Sequence, residues 1–76
     1  MVVMTLQELQ NEVLSAAISR PSYIRLGQFV FNYIDEHYGV ARAVQFIDRV
    51  DCFYDDSQID SFLAHCLARI NSYPRT

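Results

Sequence analysis

The apolar positions of this chain follow helical spacing along most of its length. The first stripe recurs at steps of three and four residues and consists of Leu6, Leu9, Val13, Ala16 and Ala17. Such spacing places apolar side chains on one face of a helix. Thr5 and Glu8 match a capping box, in which each side chain accepts a hydrogen bond from the backbone N–H of the other. We therefore predict a first helix over residues 6–19, ended by Pro21, which disfavours helical geometry in the residue before it.

A second helix is predicted from Pro21 or Ser22 to Tyr38. It is apolar on more than one face, which indicates a central position in the fold. Gly39 follows it and predicts a left-handed C-terminal cap. Gly27 lies inside the helix, where glycine costs about 1 kcal/mol relative to alanine. We interpret Gly27 as the point at which another helix crosses closely.

Two further helices complete the prediction. A short one covers residues 40–48, with Val40, Ala43, Val44 and Ile47 on its inner face. The last begins near Asp55 or Asp56 and ends at Asn71, and its apolar stripe is the clearest in the chain: Ile59, Phe62, Leu63, Cys66, Leu67 and Ile70. The predicted fold class is all-α, a compact bundle of three longer helices and one short helix. It forms a single domain over residues 1–76 with a frayed tail at 72–76.

Composition narrows the classes of function. Hydrophobic residues make up 51% of the 76 residues, which predicts a real core and some apolar surface for a partner or a second copy of the chain. Nine acidic residues against six arginines and no lysine give a net charge of −3, so a phosphate backbone would be repelled and nucleic acid is not expected. No apolar run is long enough to cross a bilayer. We expect no membrane partner and a cytoplasmic location.

Residues that carry chemistry are few. The only combinations of a nucleophile and a base are Cys52 or Cys66 with His37 or His65, and nothing in the sequence fixes their geometry. The cysteines are interpreted as small buried apolar residues, with a regulatory disulfide or a reactive thiol as the alternative. A calcium loop starting at Asp51 fails at its ligand positions, and zinc spacing is absent. We therefore predict no catalytic residues, no metal and no cofactor, and a protein that is not an enzyme.

The strongest local bias is acidic. Five of the nine acidic residues fall within thirteen positions: Asp48, Asp51, Asp55, Asp56 and Asp60. We call residues 51–56 the junction. In one interpretation Asp55 or Asp56 caps the last helix, with Gln58 completing a capping box. In the other, Asp51, Asp55 and Asp56 present carboxylates to a partner, with Phe53 and Tyr54 as aromatic anchors. The two interpretations are compatible.

The segment Arg25-Leu26-Gly27-Gln28 with Asn32, followed by Asp51-Cys52-Phe53-Tyr54-Asp55-Asp56, resembles a pattern in small helical proteins of bacteria and phages. Those proteins carry Arg-x-Gly-Gln-x-x-x-Asn in one helix and Asp-x-Phe-Tyr-x-Asp before the last. The resemblance spans residues 22–70 and implies no activity, since none is assigned to such proteins. It suggests that Arg25, Gln28 and Asn32 line one polar strip, with Arg25 paired to Asp51 or Asp55.

Three functions follow from these observations. The favoured one is a small non-enzymatic module that binds a protein partner through its acidic and aromatic surface, with homodimerisation left open. The alternative is a phage-type inhibitor of a host defence or nucleic-acid-binding protein, with carboxylates that mimic phosphates. A minimal DNA-binding regulator is the third, in which the short helix would present Arg42, Gln45 and Arg49 to DNA.

Overall fold

The computed structural model describes residues 3–72. Within them α1 spans Leu6–Ala17, α2 Leu26–His37, α3 Ala41–Ala43 and α4 Ile59–Ser72. A π-helical turn, Val44–Asp48, continues α3, and a 3-10 turn, Asp56–Gln58, leads into α4. No strand occurs between residues 3 and 72. The predicted all-α bundle of three longer helices and one short helix is thereby confirmed. Of the predicted tail, Ser72 belongs to α4, and residues 73–76 lie outside the described part.

The core is built from one face of each helix. Its largest fully buried side chains include Phe62, Leu9, Ile34, Leu63 and Val13. Helix α4 supplies most of its predicted stripe, with Leu67 only half-buried. Burial of apolar surface is the main favourable term in folding. The periodicity of α4 therefore identified the face that contributes most to the core.

The start of α1 follows from local chemistry. Thr5 accepts a hydrogen bond from the Glu8 N–H at 3.1 Å, and the Glu8 carboxylate accepts one from the Thr5 N–H at 2.8 Å. The predicted capping box is thus confirmed. Asn71 on α4 binds the same terminus, because its side chain accepts from the Met4 N–H and donates to the Met4 carbonyl. These bonds join the beginning of α1 to the end of α4.

Helix α2 begins later than predicted, at Leu26 rather than at Pro21 or Ser22. The Arg20 guanidinium donates to the carbonyls of Ala17 and Ile24, both at 3.0 Å. It therefore satisfies backbone acceptors on both sides of the 18–25 connection, which stays a turn. At the other end, Gly39 has φ 70° and ends α2 in the left-handed conformation, as predicted.

The short helix departs from its predicted faces. The π-helical turn widens the helix over residues 44–48, so side chains after Val44 rotate away from the positions that an α-helix would give them. Val40 and Val44 are buried as predicted. Ile47 is 69% exposed, so its predicted inward position is wrong. The helical segment runs from Ala41 to Asp48, but only Ala41–Ala43 is α-helical, so it lacks the regular α-helix that the DNA-binding hypothesis needs.

Helices α1, α2 and α4 also lack the length that membranes require. None of the helices within residues 3–72 is long and apolar enough to cross a bilayer.

Candidate functional site

The two adjacent aspartates of the junction cap two different helices. Asp55 Oδ1 accepts hydrogen bonds from the Ser57 N–H at 3.0 Å and the Ser57 hydroxyl at 2.6 Å, at the start of the 3-10 turn. These bonds hold the pKa of Asp55 below its usual value. Asp56 Oδ1 accepts from the Gly27 N–H at 3.0 Å. This N–H lies in the first turn of α2, which its own N-cap residue leaves without a side-chain bond. Asp56 therefore caps α2 from 29 residues away.

Arg25 reinforces the same contact. Its guanidinium donates to Asp56 Oδ1 at 3.2 Å and to the Phe53 carbonyl at 2.6 Å. The prediction that Arg25 pairs with Asp51 or Asp55 is wrong. Arg25 pairs with Asp56 instead. Both partners of this ion pair are about half exposed, so its Coulombic contribution is small. The bond to the Phe53 carbonyl adds a geometric constraint, since it fixes the junction backbone against the start of α2.

Gly27 permits this close approach. A Cβ at residue 27 would overlap the backbone carbonyl oxygen of Cys52 and lie 2.6 Å from Asp56 Oδ1. The Cys52 thiol also donates to the Gly27 carbonyl at 3.3 Å. The interpretation of Gly27 as the crossing point of another helix is wrong, because the backbone that approaches it closely is the junction loop.

Asp51 and Phe53 are both half-buried and make contacts within the fold. Asp51 Oδ1 accepts from the Phe53 N–H at 2.8 Å, and Oδ2 accepts from the Gln45 side chain at 3.1 Å. The Phe53 ring is half-buried and meets Phe31 edge to face, with 5.5 Å between ring centroids. Tyr54 is 77% exposed and touches only the Phe53 ring among the ring contacts found. Of the predicted anchor pair, Tyr54 is the side chain left open to a partner.

The predicted polar strip is only partly formed. Arg25 reaches the junction, whereas Gln28 is half-buried and Asn32 is exposed. Neither Gln28 nor Asn32 makes a hydrogen bond to the junction within residues 3–72. Of the three residues in the predicted strip, Arg25 is therefore the one that bonds to the junction.

The most exposed part of the short helix was missed by sequence reasoning. Phe46 and Ile47 are each 69% exposed on the π-helical turn. An open cleft beside them is lined by Gln45, Phe46, Arg49 and Asp51. Arg49 ends the turn with φ 62°, a left-handed conformation that non-glycine residues rarely adopt. Ile47 and Tyr54 are exposed in the same segment of the chain, and we call them, together with Phe46, Arg49 and Asp51 of the cleft, the 46–54 surface. Nothing in the sequence signalled a π-helical turn, so helical periodicity placed Ile47 inside.

A second set of exposed apolar residues lies at the end of α1 and in the turn that follows. Ile18 and Tyr23 are more than four-fifths exposed, and Leu14 is 40% exposed. The neighbouring Arg20 is engaged with backbone carbonyls. This set contains no charged side chain that would select a partner. Ile18 is therefore a suitable control position for substitutions in the 46–54 surface.

The cysteines lie in the core, as predicted. Both thiols are fully buried. Burial raises the pKa of each to about 12, so both are protonated near neutral pH. Among the residues described, no cluster of three or more His, Cys, Asp and Glu side chains could hold a metal ion.

The two histidines lie outside the junction, and each contacts a side chain of the surrounding helices. His37 stacks on Tyr33 with 4.1 Å between ring centroids. Tyr33 and Tyr38 both donate to the Glu12 carboxylate, at 2.8 and 2.7 Å, which binds α2 to α1. Burial and this carboxylate raise the pKa of Tyr33. The sequence did not predict this hydrogen-bonded group of Glu12, Tyr33 and Tyr38.

The other histidine lies beside an ion pair. His65 Nδ1 is 3.4 Å from Asp48 Oδ2. Arg69 donates two hydrogen bonds to the Asp48 carboxylate, at 2.8 and 3.1 Å. This bidentate pair fastens the π-helical turn to α4 and lowers the pKa of Asp48. It thereby holds in place the turn that exposes Phe46 and Ile47.

Comparisons of the chain with protein-family models, curated proteins and solved structures gave no match. The fold and the site therefore define a class of protein only by their own geometry: a small all-α bundle with a hydrogen-bonded acidic junction and exposed aromatic and aliphatic residues.

Proposed function

We propose that the protein is a non-enzymatic interaction module that binds a protein partner through the 46–54 surface. The observation that carries the proposal is the exposure of two consecutive large apolar residues, Phe46 and Ile47, on the π-helical turn. Large apolar side chains lose favourable free energy when they face water, and contiguous ones commonly mark interfaces. Tyr54 adds an exposed aromatic ring with a polar tip, a residue type enriched at binding hot spots.

The supports of this surface favour binding without large rearrangement. The bidentate Arg69 pair holds Asp48 at the end of the turn, and Gln45 is bound to Asp51 across the cleft. A surface fixed before binding loses less conformational entropy on association. Truncation of a hot-spot aromatic commonly costs about 2 kcal/mol or more, which weakens binding about 30-fold.

The junction contributes differently from its predicted role. Asp55 and Asp56 are used as helix caps, and Asp51 accepts two internal bonds, so the proposal assigns these carboxylates to fixing the loop. Tyr54 remains a proposed contact residue. Carboxylate mimicry of phosphate, and with it the phage-type inhibitor, stays a prediction to which these contacts add no support.

Quantitative affinity purification from the native cell tests the proposal. The tagged full chain would be compared with Phe46→Ala, Tyr54→Ala and the control Ile18→Ala, which truncates an even more exposed apolar residue just after α1. We expect the first two variants to recover at least tenfold less of a specific partner and the control to recover as much as wild type. Equal recovery by all four proteins would contradict the proposal. Light scattering of each purified protein reports self-association separately.

A further inference from the structure

Among the arginines of residues 3–72, Arg49 is the one that makes no hydrogen bond or ion pair within the described part of the fold. The other arginines within residues 3–72 each donate to carbonyls or pair with carboxylates: Arg20, Arg25, Arg42 and Arg69. The Arg49 guanidinium makes no hydrogen bond or ion pair to another described residue, although it lines the same cleft as Asp51. Asp51 is already bound by Gln45 and by the Phe53 N–H. The cleft therefore offers an uncommitted cation.

The backbone at Arg49 strengthens this observation. The residue takes the left-handed position that ends a helix, where glycine or asparagine is preferred. The Val50 N–H bonds to the Val44 carbonyl across this turn at 3.2 Å. An arginine there costs conformational free energy that glycine would not. The fold thus gives no reason for arginine at this position, whereas Arg49 and the exposed Phe46 line the same cleft.

We propose that the segment bound at the 46–54 surface carries a carboxylate next to an apolar side chain, and that Arg49 binds that carboxylate. The inference rests on the proposed function and names the chemistry of its partner. A guanidinium matches a carboxylate through two parallel hydrogen bonds, which gives direction as well as attraction. The apolar side chain of the partner packs on Phe46 and Ile47.

Charge distinguishes an acidic peptide from nucleic acid as the occupant. A nucleic acid presents many phosphates in succession and requires a basic surround. This chain carries a net charge of −3, and Asp51 lines the cleft together with Arg49, the one arginine of residues 3–72 that makes no bond to another described residue. A single carboxylate needs only that one cation. The surface therefore favours a short acidic and apolar peptide segment.

Selection from a display library of random twelve-residue peptides tests the inference on the purified full chain. We expect wild type to enrich peptides with Asp or Glu within three positions of Leu, Ile, Phe or Tyr. Arg49→Asn removes the guanidinium and keeps a residue that tolerates the left-handed conformation. This variant should bind the selected peptides about tenfold more weakly or worse, as expected for the loss of a charge-assisted hydrogen bond. Arg42→Asn, at an exposed arginine beside Asp35, should leave their affinity unchanged.

The outcomes separate this inference from the proposed function. Apolar peptides without enriched acids, lost in Phe46→Ala but kept in Arg49→Asn, would overturn the role of Arg49 and leave the proposed function standing. No enrichment by wild type over Phe46→Ala would overturn both. Binding of a duplex DNA oligonucleotide that Arg49→Asn abolishes would assign the site to nucleic acid and refute the peptide class. A melting temperature of Arg49→Asn at or above that of wild type shows that the variant is folded. A markedly lower melting temperature would mean that the loss of binding comes from unfolding, and it would refute the view that the fold does not use Arg49.

Discussion

Replacement of Gly27 by alanine should destabilise the protein, although alanine favours helices. Inside a helix this change ordinarily gains about 1 kcal/mol. Here the added Cβ would overlap the Cys52 carbonyl oxygen and lie 2.6 Å from Asp56 Oδ1. The first of these atoms belongs to the backbone, so relief requires the junction to move away from α2. The expected sign is therefore opposite to the one that helix propensity predicts.

The magnitude follows from the contacts that such a movement would loosen. Overpacking commonly costs about 1–3 kcal/mol. The part-buried bond from the Gly27 N–H to the charged Asp56 carboxylate contributes about 1.5–3 kcal/mol, and the exposed contacts of Arg25 with Asp56 and the Phe53 carbonyl add about 1 kcal/mol together. Because the junction can shift partway and keep some of these bonds, we expect a net loss of about 2–4 kcal/mol. For a domain of this size that lowers Tm by about 10–25 °C.

Urea and thermal unfolding followed by far-ultraviolet circular dichroism would measure the effect. Gly39→Ala is the matched control, because Gly39 also has a special role but its Cβ would meet open space. Its left-handed φ of 70° predicts only the backbone cost of about 1–2 kcal/mol. Gly27→Ala should therefore be the less stable variant. A Gly27→Ala protein that melts at or above wild type would refute the close packing of the junction on α2.

Three further predictions concern the ion pairs and the thiols. Arg25→Ala should lower Tm by about 4–8 °C, because a half-exposed pair and its carbonyl bond contribute about 1 kcal/mol; an unchanged melting curve would remove this role. Hydrogen bonding to Arg69 lowers the pKa of Asp48 below the ordinary 3.8 in the folded chain. Its contribution is therefore present above that value and lost as the pH falls through the lower folded pKa. Melting from pH 7 to 2 should show a decline at the acid end that is shallower in Asp48→Asn, and identical profiles would contradict the assignment. Cys52 and Cys66 should react with Ellman's reagent at pH 8 at least about 100-fold more slowly in the native protein than in urea, because both thiols are buried with a pKa of about 12; similar rates would show accessible thiols.

Local signals in the sequence predicted local structure well. The capping box of Thr5 and Glu8 needs only neighbouring residues, and Gly39 meets a requirement of its own backbone. The stripe of α4 could be identified because its regular geometry keeps one face toward the core. In each case the interaction is decided within a few residues of the chain, where spacing is informative.

Contacts between distant residues were harder to predict. The junction offers Arg25 three aspartates, Asp51, Asp55 and Asp56, and only the path of the junction selects Asp56. The same path lets Asp56 cap α2 by accepting a hydrogen bond from the Gly27 N–H. The sequence did not indicate this role, because Asp56 lies next to α4 along the chain. The convergence of Tyr33 on Glu12 similarly depends on the packing of α1 against α2. These pairings are set by tertiary structure, which periodicity does not encode.

The exposed surface was missed for a different reason. Ile47 was placed inward by α-helical spacing, but the π-helical turn adds a residue to the hydrogen-bonded ring and rotates the side chain outward. Arg49 takes a left-handed position that sequence reasoning reserves for glycine or asparagine. The candidate site thus arises where the chain departs from the preferences of its residues, a kind of departure that often accompanies function.

Site-specific photo-crosslinking tests the proposed interaction most directly. A benzoyl-phenylalanine would replace Phe46 in one full-length variant and, as the matched control, Ile18 in another, both in the native cell. The two positions are similarly open to solvent but lie on different elements. We predict that irradiation produces a discrete adduct of higher mass from position 46 and none from position 18. An adduct from position 18 alone, or none from either position, would contradict binding through the 46–54 surface.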